Sequence, residues 1–263
     1  KQAREAPVGL GFRAPLIVAS PWSRGGKVCS QVFEHTSTLK FLETFFNRKM
    51  NKQLHHDNIS QWRRTISGDL TTVFSPFNGT TPDKDIFLEQ RRVVETINNA
   101  RFKAAPAGFK KLSSQDIAAF KNNKGGALML QEKGTKPSCA LPYELTADAA
   151  WQHDKQQLSV KMQAGKKVFG DRSAGAPFNV YTNLPYKDEQ SGQTVTGRSW
   201  AFAVAAGDAL SYEWPAGAFP GDAYHLHLHG PHGFYREFRG SAKHPPLDIT
   251  LTDEIDGRLK KKP

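Results

Sequence analysis

Cysteine is almost missing from this chain. Cys29 and Cys139 are the two thiols in 263 residues, too few for a disulfide framework and too far apart for a CxxC redox or zinc motif. One bridge between them is possible, and so small a number does not reveal the redox compartment. Long hydrophobic runs are missing as well. The weakly polar windows around 14–19 and 201–210 fall far short of the ~20 consecutive apolar residues that span a bilayer. There is no Walker glycine loop, no GxGxxG and no GxSxG elbow, which excludes the nucleotide and hydrolase chemistries that depend on them. RNP, KH and zinc-finger signatures are absent too. The first six residues contain no Met, no apolar h-region and no small-residue cleavage site, so the chain reads as a fragment or a processed product.

Negative charge is in short supply. The 36 Lys and Arg outnumber 25 Asp and Glu, and the resulting +11 favours contact with something anionic: nucleic acid, a phospholipid surface or phosphate esters. With 22 glycines and 16 prolines, the composition is that of a loop-rich globular protein and not of a coiled coil or a disordered chain. No internal repeat is evident, but three regions differ in texture.

Residues 1 to about 75 combine apolar runs with turn signals. Ala14 to Ala19 is a short apolar run stopped by Ser20-Pro21 and reads as a fully buried strand, followed by a Ser23-Arg24-Gly25-Gly26 loop. Thr36 or Ser37 can cap a helix in which Leu39, Leu42, Phe45 and Phe46 face inward while Lys40, Glu43, Arg48 and Lys49 face water. Strand, loop and helix together predict an α/β unit, and ligands of such units sit at the loops after the strands, here residues 20–35. The polar middle region predicts helices over 85–100 and 114–122 around an extended connector, with little core of its own.

From Leu158 the period changes from helical to two. Leu158-Met162, Pro177-Thr182, Trp200-Val204 and Tyr224-His229 alternate or are β-prone, with Gly, Pro, Asn or Asp clusters between them, which predicts an all-β sandwich of about 90 residues. Pro246 to Leu251 could open a further strand.

Several groups of residues might carry chemistry. His225, His227 and His229 share one face of their strand and could turn three imidazoles towards a metal. With no carboxylate nearby in sequence, and with Leu226 and Leu228 opposite, they read instead as the wet side of an amphipathic strand. The stretch His232 to Phe238 looks like a strand end plus a turn, with Arg236 and Arg239 as surface ion-pair partners. Glu34-His35-Thr36-Ser37 stands where a loop becomes a helix, and the exposed N–H groups there favour an anion. His35 could bind a phosphoryl oxygen or act as a general acid, with Glu34 as orienter or metal ligand; the alternative is a capped, solvated helix start. Adjacent His55 and His56 cannot share a site on a regular element. Trp62, Arg63 and Arg64 form no more than an ordinary surface group.

Taken in order, Pro7 to Pro15, Ser20 to Gly26, Val28 to Ser37, Asn58 to Arg64 and Gly68 to Thr71 resemble the bacterial phospholipase C family that includes the phosphocholine-preferring enzymes, in the alkaline and acid phosphatase-like superfamily. Gln131 to Thr135 and Cys139 to Leu145 resemble the family's junction segment. Ala174 to Tyr181, Ala206 to Asp208 and His229 to Gly240 are similar to its C-terminal β-domain.

The resemblance implies a phosphodiesterase that splits phosphatidylcholine- or sphingomyelin-like lipids into diacylglycerol or ceramide and a phosphorylated headgroup. It implies a Thr or Ser nucleophile and a divalent metal ion, both supplied mainly by polypeptide upstream of Lys1, so that these residues alone would be inactive. Glu34 and His35 fall on the family's Glu/Asp-His-Thr-Ser motif and are the catalytic residues it transfers, whereas His225 and His227 have no counterpart in it. The implied organisation is the end of an α/β phosphoesterase domain with a peripheral segment over 1–145, a β-sandwich over 146–242, and a linker or the start of a second β-domain over 243–263. The implied partners are a phospholipid substrate, a membrane surface contacted peripherally and the N-terminal portion of the same protein, with no nucleic acid. The implied location is exported, periplasmic or secreted. A broad-specificity acid phosphatase and a non-catalytic lipid- or partner-binding module are the rival readings.

Overall fold

In the computed structural model, the described residues are 2–3, 6–7, 9–11, 13–76, 79, 90–105, 107–122, 136–139, 141–188 and 191–243. In chain order the elements are β1 (Gln2–Ala3), β2 (Ala6–Pro7), α1 (Thr36–Met50), α2 (Gln61–Ile66), α3 (Gln90–Ala100) and α4 (Ser114–Lys121). There follow β3 (Leu145–Gln152), β4 (Gln157–Ala164), β5 (Ala176–Lys187), β6 (Thr194–Val204), β7 (Ala209–Pro215), β8 (Ala223–His229) and β9 (Tyr235–Ser241).

The second half is a β-sandwich of two antiparallel sheets, one ordered β3-β4-β7 and the other β6-β5-β8-β9. Its core follows directly from the two-residue period. Leu158, Val160, Met162 and Ala164 of β4 meet Phe178 and Val180 of β5 and Leu226 and Leu228 of β8, all buried in one cluster. At one end an aromatic group closes the cluster. The Trp214 ring packs edge-on to Trp200 at 5.4 Å and to Tyr212 at 4.6 Å, and Tyr186 stands edge-on to Trp200 at 5.1 Å.

β4, β5, β6 and β8 contain the four alternating segments read from the sequence and, in β5 and β6, run well beyond them, whereas β3 and β7 are not foreseen and β9 replaces most of the expected strand end and turn. All three lie at sheet edges. Such strands bury less apolar surface and tolerate charge, so their pattern is diluted: in β3 only Ala147 is fully buried, and β9 carries Arg236, Glu237 and Arg239.

The first half departs further from expectation. Ala14 to Ala19 forms no ladder, and Leu16 and Ile17 are 61% and 90% exposed, so the buried strand predicted there is not seen. An apolar run becomes a central strand only with neighbours on both sides, and no described residue pairs with it. Helix α1 is where it was predicted but is turned differently about its axis. Leu39, Leu42 and Phe45 are exposed, while Ser37 is buried and Lys40 and Glu43 reach α2 and the chain around it. Polar bonds to α2 therefore set its orientation.

In the middle region α4 carries a capping box between Ser113 and Asp116, and α3 exposes Val94 and Ile97, as expected of a peripheral segment. The remainder of the predicted 85–100 helix, the Gln131–Thr135 segment and the Pro246–Leu251 strand lie outside the described residues. No helix among the described residues is long and apolar enough to cross a membrane.

Two close approaches attach the first half to the sandwich. The Tyr143 hydroxyl accepts the Val32 N–H at 2.9 Å. Gly175 comes so near the end of α2 that a Cβ there would lie 2.6 Å from the Thr65 carbonyl oxygen, which only glycine avoids. A third tie is a parallel bridge between Val28 and Ser138, with Val28 N–H donating to the Pro137 carbonyl and Cys139 N–H to the Val28 carbonyl, both at 2.9 Å. It brings the segments carrying Cys29 and Cys139 together with both thiols free, and burial together with the nearby Cys29 pushes the Cys139 thiol up.

Two outcomes are expected. Phe178→Ala, which empties the centre of the sandwich, lowers stability by about 3–5 kcal/mol in urea denaturation. Oxidised glutathione converts Cys29 and Cys139 into an intramolecular disulfide, seen as a linked peptide pair on digestion. Closing so long a loop raises stability by up to about 4–5 kcal/mol, and Cys139→Ser abolishes both effects.

Candidate functional site

The Glu34-His35 turn is built from the first turn of α1 and from α2. Ser37 Oγ accepts the Glu34 N–H at 3.0 Å, and the Ser37 N–H donates to the Glu34 carbonyl at 2.9 Å. The Glu34 carboxylate folds back over the helix start: Oε1 accepts the Thr36 N–H at 3.0 Å and the Thr36 hydroxyl, while Oε2 pairs with Arg63 of α2. Both oxygens are thus engaged and the side chain is 7% exposed. This satisfies helix N–H groups that would otherwise lack partners and puts negative charge at the positive end of the dipole.

His35 projects outward from the same turn. It is exposed, and its ring has no hydrogen-bond partner among the described residues. The two residues singled out by the sequence therefore have different characters: a carboxylate locked by a half-exposed arginine, and an accessible imidazole.

The surroundings are held by further polar bonds. Lys40 donates to the Arg64 carbonyl at 3.2 Å and to the Ser67 carbonyl, closing the end of α2, and burial pulls its ammonium below the usual lysine range. Glu43 receives Arg64 through two nitrogens, at 2.9 and 3.0 Å, and also accepts the His56 N–H. That forked bond holds the Glu43 carboxyl down at about 2. Thr44 donates to Asp69 at 3.0 Å, and the Asp69 carboxylate also takes the Thr71 N–H. Gly68 lies against Gln31, where a Cβ would approach the amide nitrogen to 2.5 Å, and its N–H donates to the Val32 carbonyl at 2.8 Å.

Arg63 and Arg64 are thus committed to Glu34 and Glu43, partners that spacing in the sequence could not supply. His55 and His56 both line one shallow cleft of about 220 Å³ together with Leu39, Leu42 and Leu54. Adjacent side chains point apart on a regular element, but here the backbone is an irregular loop. A larger open cleft of about 510 Å³ is bordered by Glu144, Lys166 and Lys167 on the sandwich and contains neither Glu34 nor His35.

The Glu34 cluster does not suit a divalent metal. Its one carboxylate has both oxygens occupied by protein donors, one of them cationic, and no second carboxylate bonds to the turn. What the turn can offer is an exposed imidazole N–H or lone pair that can meet an anionic oxygen.

On the sandwich, β8 and β9 change the reading of the histidine strand. The register sets His227 opposite Glu237 and His229 opposite Tyr235, supplying the carboxylate that the local sequence lacks. His225 Nε2 lies 2.6 Å from Glu237 Oε1 and His227 Nδ1 2.8 Å from the Tyr235 hydroxyl, which donates to Glu237 at 3.1 Å. Bonds from His225 and Tyr235 keep the Glu237 carboxyl below the usual range. Arg236, read as an ion-pair partner, instead lies over the Phe234 ring and donates to the Tyr235 carbonyl.

A helical segment followed by a two-sheet sandwich accords with the families that the sequence matches. Residues 137–241 match the bacterial phospholipase C C-terminal domain, and residues 1–49 match the phosphoesterase family. The chain belongs to the bacterial phospholipase C family. It is 36% identical over 240 residues to the non-hemolytic phospholipase C of Pseudomonas aeruginosa, covering 91% of this chain and 29% of that protein. It is 31% identical over 262 residues to the hemolytic phospholipase C of the same organism (97% of this chain, 34% of that protein). To the non-hemolytic phospholipase C of Burkholderia pseudomallei it is 33% identical over 250 residues (95% and 31%). The chain spans about a third of the length of these relatives.

The Glu43–Arg64 pair yields a pH prediction. The folded carboxyl titrates below its unfolded value of about 4.5, so its contribution is complete above that pH and is lost as pH falls towards 2. Glu43→Gln is expected to lower stability by about 1–2 kcal/mol at pH 7, with the difference from the parent vanishing near pH 2 in urea titrations at stepped pH.

Proposed function

We propose that this chain serves a phospholipase C-type phosphodiesterase that cleaves phosphatidylcholine- or sphingomyelin-like lipids to diacylglycerol or ceramide and a phosphorylated headgroup. The observation that carries this is collinearity: more than nine tenths of the chain aligns with three proteins named as phospholipases C. In this reading residues 1–145 contribute the end of an α/β phosphoesterase domain with a peripheral segment, 146–242 the sandwich, and 243–263 a linker or the start of another β-domain. The exposed Leu39, Leu42 and Phe45 face of α1 supports it, because such a stripe is suited to packing against further phosphoesterase structure.

Within the complete enzyme, His35 is the group that meets a phosphoryl oxygen or protonates the leaving alkoxide. Glu34 is a positioning residue, fixing the turn and holding Arg63 beside it. A divalent metal ion would supply charge neutralisation at phosphorus, and its ligands lie mainly in polypeptide upstream of Lys1, since Glu34 has no free oxygen to give. The +11 charge supports peripheral attachment to an anionic membrane surface in an exported protein, with attraction of about 1 kcal/mol per well-placed cation.

The test is headgroup release from phosphatidylcholine vesicles by the complete enzyme. His35→Ala is expected to lower kcat by about 100-fold or more, as for loss of a general acid. Glu34→Gln has a smaller effect, and Glu34→Asp recovers part of it. Full activity in His35→Ala removes these residues from the site. Turnover of a phosphate monoester well above that of the lipid would favour the acid phosphatase reading. Vesicle binding without turnover of either would favour a binding module.

A further inference from the structure

The histidine face of the sandwich is a second centre, separate from the Glu34-His35 turn. We propose that His225, His227 and Glu237 form a binding site for a divalent transition cation of the zinc class. One ligand atom from each lies within 4.8 Å of the other two. Zinc holds its nitrogen and oxygen ligands at about 2.0–2.2 Å, a little over 3 Å apart in a tetrahedron, so small side-chain rotations close the set once the ion replaces the proton shared by His225 Nε2 and Glu237 Oε1, which leaves to solvent.

The donors are mounted on rigid backbone. β8 is hydrogen-bonded on both sides, to β5 and to β9, and Leu226 and Leu228 anchor it in the core between the two histidines and beyond them. The ring orientations are fixed as well. Tyr181 of β5 stacks on His227 at 5.0 Å, and the Tyr235 hydroxyl bonds His227 and Glu237 at once, the kind of outer contact that aims metal ligands. The two imidazoles stand 4.4 Å apart between centroids, close enough to share an ion.

His229 is not counted as a third ligand, because the ligand atoms that gather within 4.8 Å of one another come from His225, His227 and Glu237. Arg239, across from His225, makes no hydrogen bond or ion pair with the three donors. Two imidazoles and one carboxylate suit zinc and its neighbours over calcium or magnesium, which prefer oxygen-only sets. The remaining coordination position faces solvent and can take water or an anionic oxygen. The cation would also join edge strand β9 to β8 across their register.

Isothermal titration of the chelator-treated 263-residue chain with zinc chloride tests this. One equivalent is expected to bind in the micromolar range, with His225→Ala and His227→Ala each weakening it at least tenfold and Glu237→Gln about tenfold. His229→Asn and the double variant His55→Ala/His56→Ala should leave affinity within twofold. Copper(II) electron paramagnetic resonance should show coupling to two imidazole nitrogens in the parent chain and one in His225→Ala. Glu237→Gln, which conserves shape, keeps the test decisive if a histidine variant misfolds. Binding no tighter than millimolar, or affinity that falls with His55 and His56 and not with His227, overturns the proposal.

Discussion

The constraint from which most of this structure follows is that a strand paired within a sheet and packed on one face has no freedom over what the other face displays. Once Leu226 and Leu228 are sealed against Val160, Met162 and Phe178, their neighbours His225, His227 and His229 are committed to the outer surface. The pairing of β8 with β9 then decides what they meet. A register shifted by one residue would turn Glu237 away and replace it with Arg236 or Phe238. Core packing inside the sandwich thus determines chemistry on its outside.

The first half of the chain is organised by a different force. Its apolar residues are largely uncovered, and its shape is held by ion pairs and bonds to main-chain oxygens: Glu34 to Arg63, Glu43 to Arg64, Lys40 to the carbonyls that end α2. Such contacts are directional and fix geometry well, although each adds little net stability where solvent reaches it. The attachment to the sandwich through Tyr143 and Gly175 gives this polar assembly a stiff support.

The match between sequence and structure follows the same division. The strands of the sandwich with strong alternation, β4, β5, β6 and β8, were readable because their periodicity reports burial on one face. The edge strands β3, β7 and β9 were not, since they bury few apolar side chains and tolerate charge, and His232 to Phe238 resembles a strand end plus a turn. The helix at Thr36 was readable from its start signal and apolar spacing. Its rotation was not, because spacing identifies a stripe without saying which surface is available to cover it. The run at Ala14 illustrates the same limit: hydrophobicity signals a tendency to be buried, and pairing partners decide whether a strand forms.

By itself the amino-acid order determined the family, the alternation that makes a sandwich, the position of the Glu34-His35 turn and the excess of positive charge. These are local or compositional properties, carried by neighbours along the chain. Only the tertiary structure decided that Glu34 is locked by Arg63, that His55 and His56 line a cleft with Leu39 and Leu42, that Cys29 comes near Cys139, and that Glu237 arrives beside His225 and His227. Each of these joins segments whose separation in sequence carries no signal. Their meeting is set by strand register and by close backbone approach, which exist only once the chain has folded.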